Sequence, residues 1–135
     1  MQSTSKENIL DLLCFAERQT DFILRTTAQV HTYHDFLASD TGMVLFNSTC
    51  MCLQSIGETV RQIDHQSQGK LFALYPDTPW KKVIGLRNII SHEYLSIDPQ
   101  VIFATVKTRL RPLQDALQQI ITELELGLYT EQDIL

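Results

Sequence analysis

Apolar residues recur three and four apart from nearly one end of this chain to the other, and that spacing commits it to helices. The clearest run is Phe103, Val106, Leu110, Leu113, Leu117, Ile120 and Leu124. Its alternating intervals make two seams, the pattern of a helix packed inside a bundle. A second run joins Leu45, Thr49, Cys52, Leu53, Ile56, Val60 and Ile63, with Asp40 placed to cap it after the breaker "ASDTG". A third joins Ile9, Leu12, Leu13, Ala16, Ile23 and Val30, on a helix expected over about residues 5–37. Thr4 and Glu7 stand at capping-box spacing at its start. No alternating strand pattern competes.

The stops and starts divide these runs. "DHQSQGK" ends the second helix, and "LFALYPDTP" reads as a loop or short turn. Thr78-Pro79 is an N-cap followed by proline at the first helical position, predicting a helix to about Ser91, and Asp98-Pro99 repeats the signal. Pro112 lacks a backbone donor and is expected to kink or split the last long helix near Arg111. Gly127 ends it. The expected architecture is all-α, an antiparallel bundle of four to five helices over residues 1–126, with a short acidic tail over 127–135.

Composition removes several function classes. With 135 residues, 44% hydrophobic and 20% charged, the chain has the balance of one soluble globular domain. No apolar run is long enough to span a bilayer and no signal peptide is visible, so a cytoplasmic location is expected. Cys14, Cys50 and Cys52 are an odd set at spacings unsuited to zinc and read as reduced, mostly buried thiols. A net charge of −5 argues against a strongly basic nucleic-acid clamp. Positive charge is nevertheless grouped, at Lys81, Lys82 and Arg87 and again at Lys107, Arg109 and Arg111. Such groups form either a solvated helix face or a local basic cleft on an acidic body.

"RNIISHEYL", Arg87 to Leu95, collects the most chemistry. Arg87 offers a planar fork for phosphate oxygens, His92 a proton acceptor near neutral pH, and Tyr94 a hydroxyl and a stacking face. On one continuous helix, at about 100° per residue, Arg87 and Tyr94 would lie within about 20° of each other and His92 about 140° away. All three can meet one small target only if the helix unwinds near Ser91 and His92, or if a second subunit completes the site. Taken alone, the triplet reads equally as the end of a helix or as a phosphate site. Asn88, one turn before His92, could orient the imidazole or be plain surface.

Other constellations are weaker. "HTYHD" sets His31, His34 and Asp35 together on the first helix, where a polar turn is a better reading than a zinc site lacking a third ligand. No metal or cofactor is expected. Gly57 costs helix stability and implies close approach of another helix, while Glu58 could reach towards the "RNIISHEY" motif. Gly85 is expected to serve packing, and Trp80 and Tyr75 to anchor the core or an interface.

With these residues in view, "RNIISHEY" resembles the Arg-x4-His-x-Tyr motif of the HepT-like toxins, a branch of the HEPN ribonuclease superfamily. "QSIGETV" is similar to the Ile-Gly-Glu segment of those proteins, and "PWKKVIGLRNIISHEYLSIDPQVIFATVKTRLRPL" to their third and fourth helices. The resemblance covers about residues 6–126, and its motif shows no departure from the active form. It implies a homodimeric helical bundle whose motifs face each other and which cleaves RNA (mRNA or tRNA) without metal. It also implies an MntA-like nucleotidyltransferase antitoxin that transfers AMP to Tyr94. His92 would then be general base and Arg87 the stabiliser of the phosphoryl transition state, with Glu58 and Asn88 as possible supports. The alternative is a non-catalytic helical module that recruits substrate for a nucleotidyltransferase.

Overall fold

The computed structural model describes residues 5–89 and 97–135, and within them the chain is helical throughout, with no strand. Three long helices, α1 (Ser5–Thr26), α2 (Asp40–Gln66) and α5 (Pro99–Glu125), carry the core. Between and after them lie three short ones: α3 (Lys70–Ala73), α4 (Trp80–Gly85) and α6 (Glu131–Ile134). Helix α1 packs against both α2 and α5, while α2 also supports α4 and the turn that follows it. The expected all-α bundle is the observed architecture.

The apolar seams are where periodicity placed them. Val106, Leu110, Leu113, Leu117, Ile120 and Leu124 of α5 meet Ile9, Leu13, Ala16 and Ile23 of α1 and Leu53, Ile56, Val60 and Ile63 of α2 in one core. Asp98 accepts a hydrogen bond from the Gln100 amide at 2.9 Å, with Pro99 opening the helix as expected. At the other end Gly127, at φ +74°, allows a double C-terminal closure. The Leu128 amide reaches the Glu123 carbonyl at 3.2 Å, and the Gly127 amide reaches that of Leu124 at 3.1 Å.

Several boundaries differ from the sequence reading. Helix α1 ends at Thr26 rather than near residue 37. Asp35 draws the chain into a turn there, accepting from the amides of His31 at 2.7 Å and Thr32 at 3.1 Å. Lys107 of α5 donates to the Thr27 carbonyl at 3.0 Å, closing the helix end with a cation. Val30 and Phe36 then fold the connection into the core. His31 and His34 therefore lie in and beside a 3-10 turn (Tyr33–Phe36), not on α1, and Asp35 is engaged by backbone amides. Ser39, not Asp40, caps α2, its hydroxyl accepting from the Gly42 amide at 3.0 Å. Thr78 makes no cap: Pro79 takes the N-cap position and α4 begins one residue later. Helix α5 runs on through Pro112 instead of splitting. Proline leaves the Thr108 carbonyl without its helical donor, but Thr108 and Pro112 lie on an exposed face where water can serve it. Thr4 of the anticipated capping box falls outside the described residues.

The segment from Leu71 to Trp80 is tied down at several points. Trp80 is buried, stacks on Phe72 with ring centroids 3.9 Å apart, and donates its indole N–H to the Tyr75 carbonyl at 2.9 Å. Tyr75 in turn donates its hydroxyl to Glu123 of α5 at 2.7 Å. Burial, then the bonds to Tyr129 and Glu123, hold this phenol in its neutral form. Both aromatics are thus core anchors. After Gly127 the chain turns back: Ile134 is fully buried and the Leu135 carbonyl accepts from Lys70. All three cysteines are free thiols, and burial pushes Cys50 up to about 11.

Candidate active site

Helix α4 lasts six residues and tightens at Leu86–Asn88 into a 3-10 turn, as helix ends commonly do. The expected α-helix to Ser91 therefore stops at Gly85, and Arg87 sits on the tighter turn. That turn is pressed onto α2. Gly57 is the reason it can be. A Cβ built there would fall 2.3 Å from the Arg87 amide nitrogen, 3.0 Å from the Ile84 carbonyl oxygen and 3.0 Å from the Leu86 carbonyl carbon. Only a residue without a side chain permits this contact, so the close approach anticipated at Gly57 is what seats Arg87. Gly85 is the opposite case. A Cβ there meets nothing within 4 Å, so the packing role expected of it is absent; it borders open space instead.

One residue after Gly57, Glu58 reaches the same turn. Its Oε2 lies 3.5 Å from Nε of Arg87, both side chains being about two-fifths exposed. Glu58 also takes a fork from Arg61, with Nη2 at 2.7 Å from Oε1 and Nε at 3.1 Å from Oε2. The Arg61 hydrogen bond, with smaller help from the Arg87 charge, holds the Glu58 carboxyl below its usual range. Two guanidiniums share one carboxylate, leaving the cluster a net positive charge at neutral pH. Arg61 escaped the sequence reading, although its position three residues after Glu58 on one helix face was the available signal.

The structure therefore brings Arg87 and Glu58 together, and leaves Asn88 exposed at the end of the 3-10 turn. His92 and Tyr94 lie outside the described residues, so the geometry of the whole motif is not given by the fold. Chemically, the described part is an anchored cation: a guanidinium fixed by its own backbone contact and by a carboxylate on the neighbouring helix. Such a group suits the recognition of a phosphate. Among the described residues no three His, Cys, Asp or Glu side chains are grouped as a metal site, and no helix is long and apolar enough to cross a membrane.

Comparison with known proteins gives this cluster a setting. The family described as "Ribonuclease HepT-like" matches residues 16–120. Two proteins of Methanocaldococcus jannaschii are similar over 74 residues, or 55% of this chain. "Putative RNase MJ0125" is 31% identical, with 60% of its length covered, and "Putative RNase MJ1216" is 30% identical, with 58% covered. "Putative RNase TTE0752" of Caldanaerobacter subterraneus is 22% identical over 104 residues, covering 77% of this chain and 86% of that protein. The chain thus spans about three fifths of the length of the first two relatives. No solved structure matches.

Proposed function

The chain belongs to the HepT-like ribonuclease family, and from that premise we propose that it cleaves RNA at the Arg87–His92–Tyr94 motif. The observation that carries this reading is the seating of Arg87. Its turn rests on Gly57 and its guanidinium on Glu58, immediately before the segment that bears His92 and Tyr94. A side chain fixed this way loses little freedom when it meets a phosphodiester.

In the proposed reaction, His92 accepts the proton of a ribose 2′-hydroxyl. The 2′-oxygen forms a bond to the adjacent phosphorus while the bond to the 5′-oxygen breaks. The leaving oxygen takes a proton, returned by the imidazolium, and the products are a 2′,3′-cyclic phosphate and a 5′-hydroxyl. Arg87 meets the charge that builds on the non-bridging oxygens. Tyr94 positions the RNA by stacking or by a hydrogen bond, and Asn88 and Glu58 act through orientation. No step calls for a metal, and the enzyme would work as a homodimer whose two motifs face each other. Two such positive clusters in one cleft would draw in RNA despite the acidic exterior.

Control would come from an MntA-like nucleotidyltransferase antitoxin. It would join the Tyr94 hydroxyl to the α-phosphorus of ATP, with release of pyrophosphate and the phenolic proton. The added AMP places bulk and negative charge beside Arg87 and occupies the phosphate's place.

The test is cleavage of total cellular RNA by the unmodified protein in EDTA, beside His92→Ala, with end-group analysis. Cleavage by the parent protein only, leaving cyclic phosphates, is the expected result. An inert protein whose intact mass shows an unmodified Tyr94 would favour a non-catalytic recruiting module.

A further inference from the structure

Helices α4 and α5 are not in close contact: a cleft of about 590 Å³ separates them. One wall is Asp77–Pro79, Lys82, Val83, Gly85 and Leu86; the other is α5 from Thr105 to Leu113. Its volume lies in the range of about 300–1,000 Å³ typical of small-molecule sites. The interior is mostly apolar, from Val83, Leu86, Leu110 and Leu113. Two cations face each other across it, Lys82 and Arg109, both exposed and neither held in an ion pair among the described residues. The lone carboxylate in the lining is Asp77, at the end away from Leu86. On a chain of net charge −5 the cleft is a local positive site.

Its position matters as much as its chemistry. Gly85 and Leu86, which border the cleft, directly precede Arg87 in the chain. Gly85 adds width, since a Cβ there would meet no atom within 4 Å.

We infer that this cleft is a nucleotide subsite of the RNA strand, next to the phosphate handled at Arg87; the inference rests on the ribonuclease reading above. A base lies against Val83, Leu86, Leu110 and Leu113, with the Arg109 guanidinium available for stacking, and Lys82 meets a backbone phosphate. An apolar slot bounded by opposed cations suits a planar base on a charged backbone. It suits a free hydrophobic ligand less, because that would leave both cations unused. Lys82 and Arg109 would supply binding and register, and the catalytic step would remain with the motif.

The test uses the full chain and a fluorescent single-stranded RNA of twelve nucleotides, fully 2′-O-methylated so that it cannot be cleaved. Anisotropy titrations over a series of salt concentrations compare the parent protein with Lys82→Ala/Arg109→Ala, Gly85→Leu and a charge-matched control, Lys6→Ala/Arg18→Ala. Expected for the cleft double variant are a loss of at least about tenfold in affinity and a slope of log affinity against log salt shallower by about 1.4, or about 0.7 per lost phosphate contact. Gly85→Leu, which fills the cleft without removing charge, should weaken binding while leaving the thermal unfolding temperature at or above that of the parent. The control should bind as the parent does. Equal affinity and slope in all four proteins, with the parent still cleaving unmodified RNA, would overturn the cleft assignment alone. A parent that neither binds nor cleaves RNA would overturn both readings.

Discussion

Replacing Gly57 with alanine is the sharpest perturbation the fold offers. In an ordinary helix interior the change is favourable by about 1 kcal/mol, because alanine loses less backbone freedom on folding. Here the added Cβ would stand 2.3 Å from the Arg87 amide nitrogen, with two further backbone atoms at 3.0 Å. Restoring ordinary contact requires the 3-10 turn to retreat by about 1 Å. All three obstructing atoms are main chain, so no side chain can swing aside. Overpacking of this kind costs about 1–3 kcal/mol, and after the propensity gain a net loss of about 1–2 kcal/mol remains. For a domain of this size that lowers the unfolding temperature by about 3–8 °C. The effect on cleavage should be larger, since a 1 Å misplacement of Arg87 is worth about a hundredfold in rate. Gly85→Ala is the internal reference: it adds the same methyl two residues before Arg87, meets nothing, and sits at φ −59°, so it should stabilise by a few tenths to about 1 kcal/mol. Thermal or urea unfolding and RNA cleavage of the two variants side by side make the measurement. If Gly57→Ala proved as stable as Gly85→Ala and cleaved at the parental rate, the contact with Gly57 would not be what seats Arg87. The stability half of the prediction stands whatever the substrate proves to be.

Glu58→Gln keeps shape but removes the charge shared by Arg61 and Arg87, so kcat should fall about tenfold while KM for RNA stays level or drops; a rise in KM alone would show that Glu58 serves only binding. Gln114 is 3% exposed, accepts from Arg111 and donates to Glu17 and Asp21 across the α1–α5 seam. Gln114→Ala should therefore cost about 1–3 kcal/mol in urea unfolding without altering cleavage per folded molecule, and a change under about 0.5 kcal/mol would show that water replaces the bridge fully. Asp21, Asp35, Glu58 and Glu123 all titrate below their ordinary range, held down chiefly by hydrogen bonds from Arg25, the His31 amide, Arg61 and Gln119 respectively. The unfolded chain therefore takes up protons first as acid is added. The stability these groups give is present above the ordinary carboxylate range and is lost as pH falls through their depressed values. Urea midpoints should decline between pH 5 and pH 3, and a flat profile there would contradict the assignment.

How much of this could be read in advance depends on the range of the interaction. The seams of α2 and α5, the Asp98-Pro99 start and the Gly127 stop are local, set by spacing and by the backbone preferences of single residues, and they appear where expected. Helix α1 was overrun by about ten residues because its end is decided by Asp35 binding amides across a turn and by Lys107 arriving from 80 residues away. Pro112 was expected to split α5; the local penalty exists, but burial of residues on both sides of it keeps one helix.

The site divides along the same line. The sequence by itself determined an all-helical chain, marked Arg87, His92 and Tyr94 as a chemical set, and pointed to Gly57 and Glu58 as a pair needing a reason. The tertiary structure alone decided what that reason is, because nothing local to α2 tells which backbone will press against Gly57 or which guanidinium will meet Glu58. It also decided that Gly85 would face a cleft rather than a neighbour, and that Lys82 and Arg109, 27 positions apart in SEQ numbering, would look at each other across it. Periodicity reports which face of each helix is buried, whereas the pairing of faces is fixed only when the helices pack, through contacts distant in the chain.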